Sequence, residues 1–178
     1  MFGGLRKPRG VRIAGKRLSD ILEAHERFAR AAAGGARAEL AGANLARVDL
    51  KGAVLTHANL AGARLDGACL RESKLSSADL SGAELQNADL RTCDATEANF
   101  SGADLTGADL SGAELFRADF TGSVLRHSKV RAANFRQAIL RNADLTGADL
   151  NIASLRQTEL DGAILDGADL QTSIIRKI

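Results

Sequence analysis

Five side chains belong to the types that most often ligate metals or act as nucleophile and base: His25, His57, His127, Cys69 and Cys93. Such chemistry needs several of them brought together, with a partner to orient each imidazole. Here they are scattered along the chain, and two thiols are too few for a disulfide scaffold, which fits a reducing compartment. Charge offers a second chemistry, the binding of anions. Residues 1–18 carry Arg6, Lys7, Arg9, Arg12, Lys16 and Arg17 and no acid. With the apolar Phe2 and Leu5 they form a candidate anchor for an anionic membrane surface or for phosphate groups, each base near such a surface contributing about 1 kcal/mol. A second basic group lies between Asp119 and Asp144, where 24 residues contain no acid but hold Arg126, His127, Lys129, Arg131, Arg136 and Arg141.

The elements that must position these residues are announced by the composition. The chain has 178 residues, enough for one domain with a continuous core, and its 26% charged residues balance to +2. Apolar residues make up 45%, yet aromatics only 3%, so the interior must be filled by Leu and Ala. There is no run of about 18 apolar residues to cross a bilayer, and the first residues lack the apolar stretch of a secretory signal, which makes the cytoplasm the expected location.

From Ala36 to Ile175 the sequence divides into 28 consecutive blocks of five without an insertion. The fifth residue is Leu almost throughout, with Ala95, Phe100, Phe120, Val130, Phe135 and the final Ile175 as exceptions. The third is usually Ala. An α-helix would spread these leucines around its circumference, and a flat strand would send them to alternate faces. The chain must therefore turn within every block, with the third and fifth residues inward, the fourth outward, and the first and second at a corner. Glycine at many second positions supplies the corner. Taken every 20 residues, one corner column reads Gly42, Gly62, Gly82, Gly102, Gly122, Asn142 and Gly162, which argues for four sides per coil. Seven such coils, at about 4.8 Å each, make a rod about 34 Å long whose packed interior has no room for a cofactor.

Blocks such as Ala103-Asp104-Leu105-Thr106-Gly107 and Ala143-Asp144-Leu145-Thr146-Gly147 resemble the A(D/N)LXX pattern of pentapeptide-repeat proteins, over about four fifths of the chain. The resemblance implies an all-β solenoid, a right-handed quadrilateral β-helix, and implies little about activity because the family is functionally diverse. Some members bind or protect DNA gyrase, the inhibitory ones being proposed to imitate DNA, and some dimerise through their C-termini.

The organisation expected is a basic flexible arm over 1–18, a capping helix and Gly stop over 19–35, the β-helix over 36–175 and a tail over 176–178. Ser19 is the expected N-cap, with Gly34-Gly35 ending the helix. The helix would lid the first coil, as solenoid ends require. At the other end Ile174, Ile175 and Ile178 lie near an open layer and are candidates for end-to-end pairing of two chains.

Placing the outward residues on faces separates the histidines and cysteines further, so neither a catalytic nor a metal site is expected. The 28 blocks hold 14 basic and 19 acidic residues, so the overall +2 arises from the ends. An acidic column, Asp49, Cys69, Asp89, Asp109, Lys129, Asp149 and Asp169, runs beside a partly basic one, which suggests ladders of opposite charge rather than sustained mimicry of DNA. The basic stretch exceeds one coil and forms a belt. Val124 and Ile139 there take outward positions usually held by Asp, Asn or Glu. Basic residues beside exposed aliphatics suit a protein partner better than nucleic acid, for which outward aromatics would be expected. The function expected is a rigid, non-catalytic protein-binding module. The alternatives are a DNA-mimicking modulator of gyrase or topoisomerase, and a scaffold recruited to membranes by the arm.

Overall fold

The computed structural model describes residues 4–171 and residue 173. From Glu39 to Asp169 the fourth residue of each block forms a parallel bridge with the residue 20 positions further on, as in Glu39–Asn59, Asn59–Asp79 and Asp79–Asn99. Four blocks therefore close one coil. From the second coil on, each bridging residue both donates to and accepts from the coil before it: Asn59 N–H donates to the Ala38 carbonyl at 2.9 Å, and the Asn59 carbonyl accepts from Leu40 N–H at 2.7 Å. Corners are tied as well, since Gly62 N–H donates to Ser81 O at 2.8 Å and Ala63 N–H closes its turn on Leu60 O at 2.9 Å. This bonding satisfies the backbone without long strands.

Every second corner residue from Gly42 to Gly167 lies at positive φ, between 54° at Ser77 and 71° at Gly162. With the i+3 to i bond, that is the signature of a type II turn. Glycine is thus only part of the explanation: Arg47, Glu97, Ala132 and Ile152 hold the same left-handed conformation, because the coil fixes it at all four corners.

Inside, the Leu column is fully buried from Leu40 to Leu150. Phe100 and Phe120 stack in successive coils with centroids 4.7 Å apart, and Phe135 tilts against Phe120 at 5.5 Å. The wider rings are balanced in volume: Ala95 precedes Phe100 by one side, and Val130 precedes Phe135. Ser73, Ser123 and Ser128 replace inward Ala without an orphaned hydroxyl, each donating to the carbonyl three residues earlier at 2.7–2.8 Å.

The N-terminus differs from the expected arm. Among the described residues, 4–17 are laid against the first coil. Arg6 pairs in parallel with Val48, its N–H on Arg47 O at 2.7 Å and its carbonyl accepting from Asp49 N–H at 2.8 Å. A 3-10 turn (Pro8–Gly10) leads into a hairpin of β1 (Arg12–Ile13) and β2 (Lys16–Arg17), joined by Ala14 and Gly15, both at positive φ. The physical reason is alternation: Val11 and Leu18 turn inward and are buried, while Arg12 and Arg17 stay outside. Helix α1 (Leu18–Ala29) then starts one residue before the expected N-cap. Arg17 holds that position, and the Ser19 hydroxyl bonds Asp20 instead of the backbone. The helix ends ahead of the glycines, with Ala31 at φ 51° turning the chain; Gly35 is pressed onto the Phe28 backbone, where a Cβ would come within 2.4 Å of the amide nitrogen. At the far end Leu160, Leu165 and Leu170 are only partly buried, since no further described coil covers them. Phe2, Ile174, Ile175 and Ile178 lie outside the described residues.

Candidate functional site

The working surface is set by the outward fourth residue. Its side chain bends over the next corner: Asp79 Oδ1 accepts from Ser81 N–H at 3.0 Å, Asp109 from Ser111 at 3.0 Å, Asp119 from Thr121 at 2.8 Å, and Asn99 from Ser101 at 2.9 Å. This Asx bond supplies an acceptor for a corner N–H, which is the physical reason for Asp or Asn in the repeat. A hydroxyl at the corner adds a second bond, as from Thr106 to Asp104 and Thr146 to Asp144, each 2.6 Å. These bonds stabilise the charged form. The Thr146 hydroxyl and N–H, helped by Arg126, hold the Asp144 carboxyl at about 2 against its burial. For Asp104, burial pushes upward but the Thr106 bonds and the Gln86 amide outweigh it, leaving a carboxyl below its ordinary range. In the acidic column itself Asp49, Asp89, Asp109, Asp149 and Asp169 each accept from the N–H of the corner that follows.

The belt interrupts this scheme. Val124, Lys129 and Ile139 provide no acceptor for the N–H groups of Arg126, Arg131 and Arg141. Those arginines instead reach the next coil: Arg126 Nε to Asp144 Oδ2 at 2.6 Å, Arg131 to Asp149 at 3.4 Å and Arg141 to Glu159 at 2.6 Å. All three span 18 residues, a reach not legible in the sequence because it depends on corner geometry. His127 leans on the corner of the next coil, with Nδ1 2.5 Å from where a Gly147 Cβ would stand. Lys129 is flanked in its column by Asp109 and Asp149, and Arg136 N–H is bonded to Asn134 at 3.2 Å. These basic residues are spread over successive sides of the rod, three of them paired with acids of the next coil, with half-buried Val124 and Ile139 on adjoining sides. Outward Phe116 is half-buried beneath the Arg117 guanidinium, 4.9 Å from the ring centroid.

The basic N-terminal residues are placed by the hairpin. Arg12 and Arg17 are directly opposed across β1 and β2. Arg12 Nη1 donates to Gly15 O, Arg6 Nη1 to Ala46 O, and Lys7 pairs with Asp49 at 2.6 Å. Arg9, Lys16 and Leu5 are exposed at the same end.

The residues with metal or nucleophile chemistry stay apart. Cys93 points inward, and burial pushes its thiol up to about 12, which makes it inert. Cys69 stands in the outward column but is covered. Among the described residues no group of three His, Cys, Asp or Glu could hold a metal ion, and no helix is long and apolar enough to cross a membrane.

A square parallel coil with a filled core and side chains held in vertical columns defines a solenoid module. The chain belongs to the pentapeptide-repeat family: the family model for pentapeptide repeats matches residues 36–72, 73–112, 113–151 and 138–176. It is a right-handed quadrilateral β-helix, and proteins of this family are generally structural or interaction modules. Similar solved structures include a pentapeptide repeat protein of the Arabidopsis thaliana thylakoid lumen, 34% identical over 61% of this chain and 72% of that one, TM-score 0.41. HetL of the cyanobacterium Nostoc, involved in heterocyst differentiation regulation, is 26% identical over 84% and 94%, TM-score 0.28. QnrB1, a plasmid-mediated fluoroquinolone resistance protein, is 22% identical over 79% and 78%, TM-score 0.45. No curated protein matches the chain.

Proposed function

We propose that the protein is a rigid, non-catalytic cytoplasmic module that binds a protein partner through the faces of its rod, chiefly around the belt. The observation that supports this reading is the choice of Val124 and Ile139 at positions where Asp or Asn would bond a corner. Each forgoes a hydrogen bond worth about 0.5–1.5 kcal/mol and places an aliphatic group outward. A cost to stability without a return inside the fold marks a surface kept for binding. A preorganised rod also loses little conformational freedom on association.

The test is the double variant Val124→Asp/Ile139→Asp, compared with the parent in affinity capture from the native cell. The expected result is an equal or higher denaturation midpoint together with loss of the captured protein. Retention of that protein by the variant would sink the proposal. A supercoiling assay with purified DNA gyrase addresses the other class of function: protection or inhibition by the parent at stoichiometric concentration would point to topoisomerase modulation instead.

A further inference from the structure

α1 is fastened to the first coil through an imidazole. His25 has no solvent exposure, and its Nδ1 accepts the Ala38 N–H at 3.0 Å. Ala38 is the first inward small residue of the rod, and its carbonyl begins the ladder by accepting Asn59 N–H. Because Nδ1 is an acceptor, the ring is the neutral tautomer with its proton on Nε2. Nε2 is buried without a hydrogen-bond partner of its own. One face of the ring stacks on Phe28, centroids 5.6 Å apart. The fastening is local: beside it stand the Ala36 N–H bond to Ala24 O at 3.0 Å and the Gly35–Phe28 backbone contact.

A second proton changes every one of these terms in the same direction. Nδ1 would then carry a hydrogen and face the Ala38 N–H donor to donor, so the bond is lost. A charge would also be enclosed where the charged and titratable groups bearing on it are Arg37 of the first coil and His57 of the second, both repelling a cation; α1 and the hairpin bring none. The Thr56 backbone is the one nearby feature that favours the proton. Burial outweighs it and pushes the imidazole below its ordinary range.

We infer that His25 is an acid-sensitive latch: protonation releases α1 from the first coil and uncovers the N-terminal edge of the rod, while the repeats stay folded. That edge has unused pairing capacity, since neither backbone group of Glu39 takes a partner among the described residues. Exposed strand edges of this kind accept extended segments of other chains. The sign follows from the lowered value: the latch is fully closed above the unfolded-state value of about 6.5, and closure weakens as pH falls below it.

The experiment is amide hydrogen exchange on the full chain between pH 7.5 and 5, corrected for intrinsic rates, with imidazole nitrogen shifts recorded in parallel. The expected result is that Ala36 and Ala38 lose protection below about pH 6.5, by up to roughly tenfold per pH unit, while Leu105 and Phe120 do not change. His25→Gln keeps an acceptor that does not titrate and is expected to abolish the pH dependence, whereas His57→Gln retains it. Protection at Ala38 that is constant over this range overturns the proposal, as does pH-dependent opening that persists in His25→Gln. If His25→Gln is unlatched at every pH, the parent's imidazole shifts decide: His25 titrating while Ala38 stays protected overturns it.

Discussion

The rod and its N-terminal cap meet the same requirement, partners for the backbone groups that folding takes from water, by opposite means. In the rod each device recurs: the Asx bond, the corner turn and the inward leucine return every five residues, and each coil is a template for the next. In the cap each device occurs once, as with the Arg6 pairing to Val48, the His25 bond to Ala38 and the Gly35 contact with Phe28. A repeated device tolerates local exceptions, such as the acceptor-free corners after Val124 and Ile139, because neighbouring coils hold the geometry. A single device has no such support, so the cap is where one proton or one methyl group has a visible consequence. Solenoid energetics, in which each coil contacts only its neighbours, make this contrast a physical expectation.

The largest effect is expected within the rod. Phe120→Ala removes a fully buried ring that contacts both Phe100 and Phe135. It should cost about 3–5 kcal/mol in chemical denaturation. Protection of the Ala38 amide should persist wherever the first coils remain folded; loss of the cap in step with the fifth coil would mean that the two regions are one cooperative unit.

Acid separates them next. Asp144 accepts from Arg126 Nε, Thr146 N–H and the Thr146 hydroxyl. Asp144→Ala should cost about 1.5–3 kcal/mol at pH 7, the scale of hydrogen bonds to a charged group. Because this carboxyl lies at about 2 in the fold, its contribution is complete above the ordinary value of 3.8 and is lost as pH falls through about 2. The difference between parent and variant, followed by denaturation at successive pH values, should therefore close only in strong acid, well below the range in which the cap responds. A difference that closes near pH 6 would erase the distinction between the regions.

The smallest effect sharpens the contrast at a corner. Ile152 is β-branched, half exposed and held at φ 56°. Ile152→Asn places a residue that tolerates this conformation there and should raise stability by about 1 kcal/mol, without altering cap protection. A lowered melting temperature would show that the isoleucine contributes contacts outweighing its strain.

The rod was legible because its signals are local and repeated. Leu at the fifth position, Ala at the third and a Gly column every 20 residues fix four sides without reference to any distant residue. The corner function of Asp and Asn was less legible, since the same letters read equally well as surface charge. Only the bend of Asp109 over Ser111 distinguishes a bonded acceptor from a free carboxylate. The cap is less legible, because Arg6, Lys7, Arg9, Arg12, Lys16 and Arg17 dominate its composition and suggest a solvated arm. Val11 and Leu18 are few in number, yet both are fully enclosed, and together with the Arg6 backbone they decide where the segment lies.

By itself, then, the sequence determined the period, the inward and outward sides and the square section, since these depend on spacing within one chain segment. Tertiary structure decided which charges are engaged and which positions are strained. It set Arg126, Arg131 and Arg141 against acids one coil away, enclosed His25 against Ala38, and held Ile152 in a conformation it would not choose. The reason is that such pairings are set by the stacking of coils: the partner lies close in space at a separation along the chain that no local preference encodes.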